Sequence, residues 1–235
     1  MSESTRATKR RFLPGVFRFS MAGFLGSLLI LLVTQPLVMH LKNATVVEAV
    51  VLTLVLLSAV QAVGHSHRVL VWSAILSSPA VIGRWLFEVW PDQVLPEIYL
   101  VSGLLFMLFI TIQLLRYILR APRVDSEVLC AGIATYLMLG LVWSFAYTLV
   151  DWRSQGAFAL DGVPDTHHAL MGFTSLYYSL ITLTTVGYGD ITPKSEMARM
   201  LATMEALTGT LFVAVLISRL VAVYSKTSPD DKKQP

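Results

Sequence analysis

Apolar runs about as long as a bilayer is thick recur along this chain, and they limit what it can become more than any other feature. A hydrocarbon core about 30 Å thick takes roughly 20 helical residues to cross. Residues 19–40, 46–64, 98–119, 128–150 and 197–224 reach that length almost without charge. Residues 69–90 form a weaker stretch, interrupted by Ser77, Ser78, Pro79, Arg84 and Glu88. Composition agrees, with 55% hydrophobic and 14% charged residues against about 25% charged in an ordinary soluble domain. Hydrocarbon offers no partners to a free backbone amide, so the runs must be helices. The expected fold class is an all-α membrane protein with six transmembrane helices.

Charge decides the doubtful third stretch. Basic residues collect on the cytoplasmic side of a membrane protein, and Arg6, Lys9, Arg10, Arg11 and Arg18 place the N-terminus there. With six crossings, Arg68, Arg116, Arg120, Arg123, Arg219, Lys226, Lys232 and Lys233 fall on the same side, thirteen of the 18 basic residues in all. Dropping the third crossing would send Arg116, Arg120 and Arg123 outside. Arg84 and Glu88 lie four apart, a spacing that lets them pair within that span. The first stretch lacks a small-residue cleavage pattern and reads as a retained anchor. The expected organisation is a basic cytoplasmic segment over residues 1–18, a four-helix membrane domain over 19–124, a second membrane domain over 125–224 and a short cytoplasmic tail over 225–235.

Residues 151–196 join the last two crossings through 46 residues, where a helix–helix connection commonly takes about 2–8. Within them residues 172–184, GFTSLYYSLITLT, are apolar but too short to span. They suit a re-entrant helix with Gly172 or Thr174 as N-cap. Thr185, Val186, Gly187, Tyr188 and Gly189 follow, a non-helical backbone at membrane depth. Such backbone survives only where protein buries it or water and ions line it. Glycine adopts positive φ without steric cost, so Gly187 and Gly189 permit a run that aims several carbonyls at one axis. Oxygens so arranged replace a cation's hydration shell, with the Thr185 hydroxyl as a further ligand. Val186 and Tyr188 would then turn outward against Phe173, Tyr177 and Tyr178, and Asp190 would stand at the outer mouth, where carboxylates enrich cations. The short helix adds the negative end of its dipole. One loop cannot surround an ion, so the geometry calls for four copies, a homotetramer.

The segment over residues 184–190, TTVGYGD, resembles the selectivity filter of the tetrameric potassium channel family, and the likeness extends over residues 128–224. The resemblance implies preference for potassium over sodium, with the ion held at Thr185, Val186, Gly187 and Tyr188, continued by Gly189 and supported by Tyr177, Tyr178 and Thr184. Gly209, 24 residues after Thr185, falls where the family commonly has a hinge glycine; close packing against the re-entrant helix is an equal alternative. By the same alignment Thr210, Val213, Ile217 and Val221 line the cavity and lower gate, on one helical stripe. Six spans with the pore after the fifth is the layout of the voltage-gated branch. The fourth stretch departs from it, being uncharged until Arg116; with Arg120 and Arg123 that residue reads as a topology anchor rather than a strong voltage sensor.

Glu205 is the odd residue of the last stretch. An acid inside a membrane segment is a functional hypothesis by default, and its expected partners are the hydroxyls of Thr182 or Thr184. It is a regulatory candidate, set against a purely structural hydrogen bond. His65, His67, His167, His168 and Asp165 match no zinc-ligand spacing and read as polar loop residues. Asn43-Ala44-Thr45 lies too near the bilayer for a convincing glycosylation sequon, and lone Cys130 cannot form an internal disulfide.

The expected function is passive potassium conduction in the plasma membrane, both termini cytoplasmic, with no cofactor beyond the permeant ion. Anionic lipid is a candidate partner of the N-terminus; nucleic acid is not, for want of a basic, aromatic-laced face. The alternatives are an ion-translocating transporter subunit and a non-conducting membrane sensor. No nucleophile, base and oxyanion donors converge, which argues against an enzyme.

Overall fold

The computed structural model describes residues 21–38, 44–63, 67–89, 94–154, 156–162 and 170–227. In chain order these form α1 (Met21–Val38), α2 (Ala44–Val63), α3 (His67–Val89), α4 (Val94–Arg120), α5 (Ser126–Arg153), β1 (Phe158–Leu160), α6 (Phe173–Leu183), β2 (Ile191–Pro193) and α7 (Glu196–Thr227). The described residues are all-helical apart from the small ribbon and the links between elements. Among the described residues, five helices are long and apolar enough to cross a membrane: α1, α3, α4, α5 and α7. The expected second crossing corresponds to α2, whose apolar stretch is the shorter Ala49–Ala62.

Pro79 lies inside α3 and Pro36 inside α1; in a membrane setting such prolines are tolerated because neighbouring helices and hydroxyl side chains satisfy the freed carbonyls. Ser77 and Ser78 hydroxyls donate to the carbonyls of Ala74 and Ile75 in that part of α3. The break between α4 and α5 falls at Ala121-Pro122, where proline cannot continue a helix. Asp125 then caps α5, its carboxylate accepting from the Val128 amide at 3.0 Å.

Helices α1, α2 and α4 close around Phe24, Leu28, Leu31, Val55, Phe106, Ile110 and Leu114, and α5 docks on them through Ala131, Ala134 and Met138. The small side chains on α5 let its backbone come close, which is how helices associate where lipid removes the hydrophobic drive. Arg219 of α7 reaches the C-terminal end of α4, donating to the carbonyls of Leu119 and Ala121 at 3.0 Å each. A cation at that end satisfies carbonyls left over by the helix and meets the negative end of its dipole.

Coverage of the last two long helices is unequal. Of the 28 residues of α5, 13 are buried, whereas in Glu196–Val223 of α7 only Ala198, Glu205, Gly209 and Val223 are. Met200, Met204, Leu207, Leu211, Ile217 and Val221 all stand exposed along α7.

Arg116 and Arg120 end α4, with Arg123 in the link beyond it. Side chains of Glu88 and His67 are outside the described residues, as are residues 1–20, Asn43, His65, Asp165, His167, His168 and 228–235.

Candidate cation site

The site is built on α6, a short helix of 11 residues enclosed by α5, α7 and the ribbon. Its start is set by Gly172, at φ 54° and ψ −122°, a conformation that only glycine adopts readily. Asp151, buried at the end of α5, accepts from the Leu170 amide at 2.9 Å and ties the incoming chain to that helix. Ser144 of α5 and Ser175 of α6 share a hydrogen bond of 2.8 Å one turn further in.

At its other end α6 gives way to a strand of unusual backbone. Thr185, Gly187 and Gly189 have φ of 60°, 52° and 85°, whereas Val186 and Tyr188 keep negative φ. Handedness therefore alternates residue by residue. The amides of Thr185, Val186 and Gly187 turn back onto the end of α6, donating to the carbonyls of Thr182 (2.9 Å) and Ile181 (2.9 and 3.2 Å). All peptide bonds here are trans, and in a trans peptide the C=O points opposite to its N–H. Hence the carbonyls of Thr184, Thr185 and Val186 all point away from α6, on one side of the strand. Positive φ in a β-branched residue is a true outlier, and Thr185 carries it here alongside the two glycines that the sequence singled out.

The outer end of the strand is clamped. β1 and β2 pair antiparallel, Phe158 opposite Pro193 and Leu160 opposite Ile191, and Asp161 N–H extends the ladder to the carbonyl of Asp190 at 2.8 Å. The Asp190 carboxylate is held too: Tyr177 donates to its Oδ2 at 2.7 Å, while its Oδ1 is buried without a partner among the described residues.

Tyr178 lies in a triangle of edge-to-face rings with Tyr147 (centroids 4.9 Å apart) and Phe158 (5.5 Å). Phe173 packs against Tyr177. Val186 and Tyr188 stand largely open in the single chain, at 53% and 72% exposed. Thr184 caps α6, its hydroxyl donating back to the Leu180 carbonyl at 2.7 Å.

Glu205 is fully buried, and its partners are Tyr147 and Ser179 rather than Thr182 or Thr184. Tyr147 donates to Oε2, and the Ser179 hydroxyl lies 2.5 Å from Oε1. Register explains the difference. Residues four apart share a helix face, so Ser179 and Leu183 of α6 meet Glu205 and Gly209 of α7. At Gly209 the contact is intimate: a Cβ would lie 2.2 Å from the Leu183 carbonyl oxygen. α7 runs unbroken through this position, so close packing has a direct structural counterpart here. Thr210, Val213, Ile217 and Val221 lie below it on α7, all exposed or nearly so in the single chain.

Sequence reasoning passed over Tyr147, Asp151, Phe158 and Ser179. Only Asp151, an acid at the end of an apolar run, carried a usable signal; the others are ordinary aromatic or hydroxyl residues until the helices are packed.

Comparison with known proteins points the same way. A family described as "Ion channel" matches residues 128–226. Two-pore potassium channel 3 of Arabidopsis thaliana is 32% identical over 92 residues, covering 39% of this chain and 18% of that protein. Probable potassium channel protein 2 of Methanocaldococcus jannaschii is 48% identical over 46 residues, 20% of this chain and 13% of the relative. Potassium voltage-gated channel protein Shal of Drosophila melanogaster is 28% identical over 102 residues, 40% of this chain and 17% of the relative. The chain thus spans less than a fifth of the length of these relatives. No solved structure matches it.

Proposed function

We propose, from the similarity of residues 128–226 to the ion-channel family and of part of that stretch to potassium channels, that the chain is a passive potassium-selective channel. The observation that carries this reading is the strand backbone: the amides of Thr185, Val186 and Gly187 all bond back to α6, and the carbonyls of Thr184, Thr185 and Val186 therefore share the opposite side. Oxygens in such a row supply what water gives a potassium ion in bulk. Ions would bind at Thr185, Val186, Gly187 and Tyr188, leave past Gly189 and Asp190, and arrive through a cavity lined by Thr210, Val213, Ile217 and Val221. Four copies close the ring, with Val186 and Tyr188 packing against neighbouring subunits. Six crossings, with α2 as the second and α6 re-entrant, put both termini in the cytoplasm of a plasma-membrane protein, where the basic N-terminus meets anionic lipid.

The test is flux from purified protein in liposomes. Wild-type protein carries potassium and excludes sodium, whereas Gly187→Ala and Tyr188→Ala insert and assemble but lose selective flux. Gly187 has φ 52°, which an alanine side chain resists. Potassium selectivity retained by both variants, or none in the wild type, would refute the assignment.

A further inference from the structure

Three elements meet at Glu205, and the hydrogens available there do not cover the contacts if its carboxyl is ionised. The Ser179 oxygen lies 2.7 Å from the carbonyl oxygen of Gly140 on α5 and 2.5 Å from Glu205 Oε1 on α7. Both distances are those of O–H···O bonds. A serine hydroxyl owns one hydrogen, and a carbonyl oxygen has none to give. An ionised carboxylate is acceptor-only, so one of the two contacts would then set two lone pairs against each other. Tyr147 cannot supply the missing hydrogen, since its own goes to Oε2 on the far side of the carboxyl.

We infer that Glu205 carries a proton on Oε1 and is the donor to Ser179, completing a directional relay from Tyr147 through Glu205 and Ser179 to the Gly140 carbonyl. Every contact then holds one hydrogen. The relay bolts α5, α6 and α7 together one turn before the strand, with Gly209 and Leu183 in contact a turn further along. Its surroundings suit a neutral acid. Glu205 is fully buried, and the titratable groups facing it are tyrosines: Tyr136 and Tyr147 from α5 and Tyr178 from α6. Among the described residues no Lys, Arg or His pairs with it. Burial of an unpaired ionised carboxylate is among the costliest arrangements a protein can contain, and a buried acid held neutral avoids it. Glu205 thus acts as a positioning residue for α6. The inference concerns this junction and stands apart from the conduction reading, because its test measures no current.

The experiment is infrared difference spectroscopy of the purified, reconstituted wild-type protein against Glu205→Gln at about pH 7, where an ordinary glutamate, with a pKa of about 4.3, is ionised. The expected difference is loss of one protonated-carboxyl C=O band, shifted in heavy water, with no loss of carboxylate stretching bands. Loss of the carboxylate pair instead overturns the inference. Should Glu205→Gln fail to assemble, wild-type protein labelled with 13C-glutamate is titrated from pH 3 to about pH 7. A labelled protonated band that survives after the other glutamates have ionised supports the proposal, and its complete disappearance overturns it.

Discussion

At the scale of single residues, two atoms of backbone do much to hold the site. The carbonyls of Ile181 and Thr182 receive the three amides that orient the strand, and the next carbonyl, that of Leu183, abuts Gly209. Gly209→Ala would drive a methyl group into that oxygen. Overpacking a tight contact costs about 1–3 kcal/mol, so this variant should unfold or dissociate at lower temperature than wild type in detergent. Its potassium flux should fall as the end of α6 is displaced. Unchanged thermal stability would show that the helices separate there at no cost. Thr185 illustrates what composition hides at this scale. Gly187 and Gly189 announced positive φ because their side chains are missing, but nothing in a threonine announces it. That residue is held at φ 60° by the amide bonds on either side of its carbonyl.

At the scale of elements, the long apolar helices were legible because a bilayer demands length and greasiness, and both are properties of a run. The short helix α6 was legible for the converse reason, its run being apolar yet too short to span. Contacts between helices were not. Glu205 was correctly marked as unusual, but its partners depend on which faces of α6 and α7 meet, and two apolar helices in lipid advertise no preferred face. The β1–β2 ribbon escaped notice because each strand is only three residues long and its partners lie on either side of α6 in the chain. The Arg219 bridge to the end of α4 belongs to the same class. Its residue read from sequence as a basic topology signal, and packing turned it into a tie between the end of α4 and α7. Replacing Arg219 with Gln should speed hydrogen exchange of the amides in residues 119–125 and leave α1–α3 unaffected. Equal exchange in both proteins would mean that the two contacts of 3.0 Å contribute nothing in solution.

At the scale of the whole molecule, the uneven cover is informative. α1–α5 share a continuous core, while α7, the exposed side of residues 184–189 and the rings of Tyr188 are bare. Bare apolar helix is at home in lipid, but a bare row of carbonyls is not, since hydrocarbon cannot hydrogen-bond them. Other copies of the strand, with water and ions between them, would satisfy that requirement, which is why the ring of four is the proposed state.

The strand turned away from α6 has a genetic corollary. If every subunit contributes its share of a common aperture, then one altered copy spoils the aperture for the other three. Expressing Gly187→Ala alongside an equal amount of wild type should leave about one assembly in sixteen free of it under random mixing of four, so that conductance drops far below half. A loss of only half would mean that each chain conducts alone. Damage at this strand would therefore be inherited as a dominant trait, whereas damage that merely keeps a subunit from folding would be recessive.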